Sequence, residues 1–139
     1  MKASRFRETE HYSYLNANPK GRIGCDCVVR AISLALGQPW EQTVREMTEM
    51  GLKRGYILDD PHLFPAYLES KGFIPRREPR DAHNKKVSVA AFLASHPDDS
   101  DFVAVAGSHH VTAVVGGKVR DIWDCSDQTM HRWWSKPKR

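Results

Sequence analysis

The chain has 139 residues, with 21 Lys and Arg against 17 Asp and Glu for a formal net charge of +4. This length suits one domain, residues 1–139, with a core of its own, and excludes two; so small a positive excess does not by itself point to nucleic acid or acidic partners. Three cysteines, an odd number, argue against a disulfide scaffold, and the polar start from Met1 through Arg7 has no apolar run, so the expected setting is cytoplasmic with no membrane span.

Residues 1–15 read as an N-terminal arm anchored by Tyr12, Tyr14 and Leu15, followed by turn chemistry at Asn18-Pro19 and Gly21. The stretch from Gly24 to Gly37 then organises the chain. After Cys25-Asp26-Cys27 comes an almost wholly apolar run in which only Arg30 and Ser33 are polar, a buried helix that ends at Gly37. Cys27 falls in its first turn, where unpaired backbone N–H groups and the helix dipole favour an anion. A thiolate is such an anion, and helix N-termini lower thiol pKa values. Cys27 is therefore the candidate nucleophile, with Cys25 as the alternate.

Pro39 suits a first helical position, and Trp40, Val44 and Met47 recur at helical spacing up to Gly51. Asp60-Pro61 reads as the cap of a third helix, with Pro65 placing its start near Phe64 and Gly72 ending it. Residues 73–86 are charged and broken by proline, an exposed loop. Ser88 caps a short helix from Val89 to Ser95, and Asp98 to Asp101 form a turn.

The last third reads as strands: Phe102 to Ala106, then His110 to Val115 and Lys118 to Trp123 flanking Gly116-Gly117, a two-residue hairpin signal. The tail from Ser126 onward is a final strand or an edge. Helices followed by strands make the class α+β.

A catalytic cysteine needs a base and a group to orient it. With a tight turn at Gly116-Gly117, Val115 faces Lys118 and Val114 faces Val119. His110, Thr112, Asp121 and Trp123 then share one face, with Asp121 diagonal to His110. A one-residue slip would substitute His109 and Asp124.

The order of Asp26-Cys27-Val28-Val29-Arg30-Ala31-Ile32, several helices, then His109-His110-Val111-Thr112 and Asp121-Ile122-Trp123-Asp124 resembles the papain-like cysteine peptidases. It is similar in particular to the compact versions that process double-glycine leader peptides and to small papain-fold proteins encoded by bacterial viruses. The resemblance implies N-terminal helices packed on a C-terminal antiparallel sheet and a thiol hydrolase acting on a peptide or protein substrate. It implies Cys27 as nucleophile, His110 as general base and then acid, Asp121 as the orienting group, and no cofactor. The family's oxyanion hole uses a side-chain amide upstream of the cysteine, usually Gln; no Gln precedes Cys27, and Asn18 or Asn16 is the substitute.

Rival readings rest on other residues. Cys25, Cys27, His109, His110 and Cys125 are possible zinc ligands, but Cys-x-Cys is tighter than the common structural pattern and no metal is expected. Trp133 and Trp134 with Arg132, Lys136, Lys138 and Arg139 have the ingredients of a nucleic-acid module, although neighbouring strand residues point to opposite faces. A papain fold that persists as a catalytically inactive binding or inhibitor protein would carry an unreactive thiol.

Overall fold

A computed structural model of the protein describes residues 4–97 and 101–137. In chain order the elements are β1 (Tyr12–Tyr14), α1 (Cys27–Leu36), α2 (Trp40–Arg54), α3 (Leu63–Ser70), β2 (Ile74–Arg76), α4 (Val89–Ser95), β3 (Phe102–Ala106), β4 (His110–Val115), β5 (Lys118–Asp121) and β6 (Met130–Ser135). The class is mixed α+β, with four helices and one six-stranded sheet among the described residues, ordered β1-β5-β4-β3-β6-β2. β1 runs parallel to β5, and the other pairings are antiparallel.

Two cores divide the sheet's faces. Val103, Val111 and Ala113 project into one with Val29, Ile32, Met47, Phe64 and Leu68 of α1 to α3. Phe102, Ala104, Val114 and Val119 project into the other with Val89, Phe92 and Leu93 of α4. Period-two alternation thus sends neighbours to different cores, which is why β3 and β4 read as nearly continuous apolar runs. α4 therefore covers the face opposite α1, rather than joining the other helices.

Several elements differ from the sequence expectations. The N-terminal arm ends in a strand: Tyr12 is fully buried and its backbone pairs with Val119. Pro39 lies at the N-cap of α2 with extended backbone (ψ 145°), one position before the helix. α2 continues past Gly51 to Arg54 and stops at Gly55, whose φ of 81° is the left-handed conformation that glycine adopts without strain. α3 starts at Leu63, after Asp60 Oδ1 accepts from the His62 N–H at 2.8 Å. Pro65 is third in α3, where its missing N–H has no intrahelical partner to lose.

The segment 73–86 is only in part a loop. Ile74–Arg76 forms the edge strand β2 on β6, and an edge tolerates Pro75 because the donor it lacks faces outward. The Trp133 indole donates to the Arg77 carbonyl at 2.9 Å, and His131 meets Glu78 at 2.6 Å. The tail strand β6 is interior, between β3 and β2. Its tryptophans do point to opposite faces, and both are used by the fold. Trp134 is 1% exposed and edge-on to Phe64, while Trp133 packs on Phe92 and Phe102. Trp133 is only half-buried; Lys138 and Arg139 of the nucleic-acid reading lie outside the described residues, as do Asp98 to Ser100 of the turn expected at Asp98 to Asp101. No helix among the described residues is long and apolar enough to cross a membrane.

Gly51 tests the packing directly. A Cβ there would overlap the Tyr56 carbonyl oxygen, which accepts no displacement without moving the α2–α3 connection. Helix propensity alone makes Gly→Ala stabilising by about 0.5–1 kcal/mol, so the expected sign is reversed. Gly51→Ala lowers stability by about 1–3 kcal/mol in denaturant unfolding, whereas Leu52→Ala, at a side chain 80% exposed, changes it little.

Candidate active site

Cys27 is the first residue of α1, which lies against β4. The N-cap, Asp26, makes no side-chain capping bond to a backbone N–H of the helix it precedes. Its carboxylate turns away instead, accepting from Asn18 Nδ2 at 2.9 Å and Trp40 Nε1 at 3.0 Å and pairing with Arg30. The residue before the thiol is thereby tied to the arm, to α2 and to its own helix.

The thiol is half-buried and faces His110, at the start of β4, and the backbone amide of Val111. Burial alone raises its pKa. The hydrogen bonds from His110 and Val111, with the charges of His110 and Arg30, outweigh that and hold the pKa below the ordinary thiol value.

His110 Nε2 bonds Asp121 Oδ2 at 2.7 Å, which leaves Nδ1 as the ring nitrogen not engaged by the carboxylate. The Trp123 ring lies 5.0 Å from the imidazole, centre to centre, screening it. Burial opposes charge on this ring, but Asp121, Cys125 and Cys27 all favour it, so the His110 pKa rises well above its ordinary value. A depressed thiol beside an elevated imidazole is the signature of a thiolate–imidazolium pair.

Asp121 ends β5 and is 4% exposed. Its carboxylate is fully engaged: Thr112 Oγ1 donates to Oδ2 at 2.6 Å, the Ile122 N–H donates to Oδ1 at 2.7 Å, and Arg30 Nη2 lies 3.6 Å from Oδ1. Burial pushes its pKa up, yet His110, Thr112 and Ile122 together keep it below the ordinary carboxylate value. The hairpin register is the one expected, Val115 to Lys118 and Val114 to Val119, and it puts Asp121 across from Thr112 and diagonal to His110.

The other candidate residues have different surroundings. Cys25 is exposed, with a backbone φ of 67°, and lines the same cleft. His109 is exposed at the cleft rim, and Asp124 is occupied by the Ser126 N–H at 3.0 Å and the Ser126 hydroxyl at 2.5 Å. His109 and Asp124 thus do not form the pair that a register slip would make. Asn18 gives its side-chain amide to Asp26, and Asn16 gives its own to the Arg22 carbonyl at 3.0 Å. The side-chain amides of both upstream asparagines are thus engaged within the arm and at the start of α1.

The cleft that opens beside Cys27 and His110 has a volume of about 790 Å³. Trp40, Val44, Phe64 and Val105 supply apolar walls, with Asp59 and Asp60 at the rim. Such a size is ordinary for a small-molecule or peptide side-chain site.

Cys125 is a participant that the hairpin count misses. Its buried thiol donates to Asp121 Oδ2 at 3.7 Å, and burial raises its pKa, so it stays protonated. His110, Asp121 and Cys125 offer donor atoms within 4.8 Å of one another, the one such group among the described residues with metal-ligating types. At 2.7 Å, however, His110 and Asp121 are at hydrogen-bond distance, closer than the roughly 3.3 Å between donors around a tetrahedral zinc. As placed, the cluster shares protons. Arg30 was also legible only as an isolated cation on an apolar helix, though the spacing Asp26-x-x-x-Arg30 is that of a helical ion pair.

Three thiols in three environments make the arrangement testable. Iodoacetamide is expected to label Cys27 ahead of Cys25 and Cys125 below pH 7, because a lowered pKa keeps thiolate present as pH falls. His110→Ala removes that selectivity and returns the labelling to the alkaline profile of a free thiol. Site-resolved mass spectrometry reads both; equal, slow labelling of the three cysteines contradicts the geometry. Comparison with protein-family models, curated proteins and solved structures finds no match for this chain.

Proposed function

We propose that the protein is a thiol hydrolase with a papain-like arrangement, cleaving a peptide or isopeptide bond through an acyl-enzyme. One observation carries this reading: the sulfur at the first turn of an early helix meets, in an open cleft, an imidazole whose far nitrogen is 2.7 Å from a buried carboxylate.

The chemistry follows from those contacts. The Cys27 thiolate attacks the carbonyl carbon, and the carbonyl π electrons move to oxygen. That oxyanion faces the unpaired amides of the α1 first turn, where the helix dipole is positive. When the C–N bond breaks, His110 delivers its proton to the departing amine, leaving Cys27 acylated and the imidazole neutral. His110 then takes a proton from water as the water attacks the acyl carbon, and loss of the thiolate releases the acid and restores the pair. Asp121 holds the ring and stabilises its charged form throughout, as the acid of a triad does. The apolar walls of Trp40, Val44 and Phe64 suit a substrate that brings an apolar side chain to the cleft.

The test is acyl-enzyme formation with a generic donor. p-Nitrophenyl acetate is expected to give a burst of nitrophenolate and an acetyl adduct that maps to Cys27. Cys27→Ala abolishes the burst, His110→Ala slows it by roughly 10²–10⁴-fold, and Asp121→Asn slows it by up to about 10⁴-fold. A burst that survives Cys27→Ala, or an adduct on Cys25, overturns the reading.

A further inference from the structure

A cation inside an apolar helix needs a reason. Arg30 is 5% exposed on α1, whose other inward residues are Val29, Ala31, Ile32, Ser33 and Ala35. Burying a guanidinium is costly unless it is paired. Arg30 has two partners: Nη1 pairs with Asp26, one turn back on the same helix, and Nη2 lies 3.6 Å from Asp121 Oδ1 at the end of β5. Its Nε finds no hydrogen-bond partner among the described residues. A guanidinium placed only for its own satisfaction would not leave that donor unmet, whereas one stretched between two carboxylates would.

We infer that Arg30 is a positioning residue of the thiol site: clamped by Asp26 on the helix that carries Cys27, it pins the carboxylate on β5 that orients His110. The inference rests on the reading of Cys27 and His110 as the working pair. Rotation of the Asp121 carboxylate would exchange its oxygens between two sets of partners. Arg30 and the Ile122 amide hold Oδ1, so Oδ2 stays with His110, Thr112 and Cys125. The imidazole then keeps its other nitrogen toward the sulfur. Arg30 also ties α1 to β5 directly, across the line on which thiol and acid must meet.

The charges alternate from Asp26 through Arg30, Asp121 and His110 to Cys27. Asp121 is faced by His110 and Thr112 from β4, by Arg30 from α1 and by Cys125 from the β5–β6 connection. Tyr12 of β1 meets its backbone carbonyl, with the hydroxyl oxygen 3.4 Å away. Loss of the Arg30 charge alone would make every titration in the cluster more alkaline. Loss of the pin does something else: with Asp121 free to turn and the ring no longer held toward the sulfur, the thiol rises and the imidazole falls toward their free values.

The experiment is the pH profile of Cys27 alkylation by iodoacetate, an anion whose capture needs both thiolate and imidazolium, in the full chain with site-resolved mass spectrometry. In Arg30→Met the acid limb is expected to move up by about one pH unit and the alkaline limb to move down, with Cys27 still labelled ahead of Cys25 and Cys125. Arg30→Lys, which keeps the charge but not the two-carboxylate fork, narrows the profile in the same sense. An alkaline limb that rises with the acid limb in Arg30→Met, or a profile unmoved there, overturns the inference. If Arg30→Met does not fold, the Arg30→Lys profile decides, a parent-like profile overturning it. A parent that shows only an ordinary thiol limb overturns the hydrolase reading itself, a result distinct from the others.

Discussion

The Asp121 carboxylate is the constraint on which the rest of the site turns. A carboxylate 4% exposed cannot keep its charge without partners, and this one is given four hydrogen bonds and a guanidinium from five different residues. Charge-assisted hydrogen bonds are worth about 1.5–3 kcal/mol each, so the ion is favoured despite its burial. Those partners come from α1, β4 and the chain after β5. Satisfying one oxygen pair therefore fixes the relative placement of the helix that carries the thiol and the strand that carries the imidazole.

The sheet makes this placement possible. β4 has neighbours on both sides and is covered on both faces, so its position is fixed by two ladders and two cores. His110 is its first residue, where the strand leaves the interior and the side chain reaches the cleft. α1 packs on the same strand from the other face, with its N-terminus at that end. The thiol and the imidazole come from rigid elements rather than loops, which is what holding them in register requires.

How much of this was legible in the chain depended on whether the signal was local. The thiol at a helix start, Gly37 as its stop, Ser88 as the cap of α4 and the Gly116-Gly117 hairpin are all set by neighbours in sequence, and so is the register that brings Asp121 to His110. The strands β1 and β2 were not legible, because three residues such as Tyr12–Tyr14 or Ile74–Arg76 carry too little periodicity to be distinguished from a loop. Their structure comes from partners 107 and 61 positions away, Val119 and Ser135. Arg30 and Cys125 failed for the same reason. Nothing beside either in the chain says that it will meet Asp121, and the pairing exists only once α1 has docked on the sheet.

The two inner cysteines show why residue type alone does not assign chemistry. Cys27 and Cys125 both lie close enough to His110 to bear on its charge. Cys27, at the positive end of a helix, has the His110 imidazole and the Val111 amide at its sulfur and the Arg30 charge nearby; its negative form is favoured, and it opens on a cleft. Cys125 is fully buried with the Asp121 carboxylate beside it, and a negative sulfur there would face a negative oxygen across 3.7 Å. It remains a donor to the acid. Exchange of these surroundings, with no change in the residues themselves, would exchange which thiol favours its negative form; the difference is set by the electrostatics that α1 and β5 create where they meet.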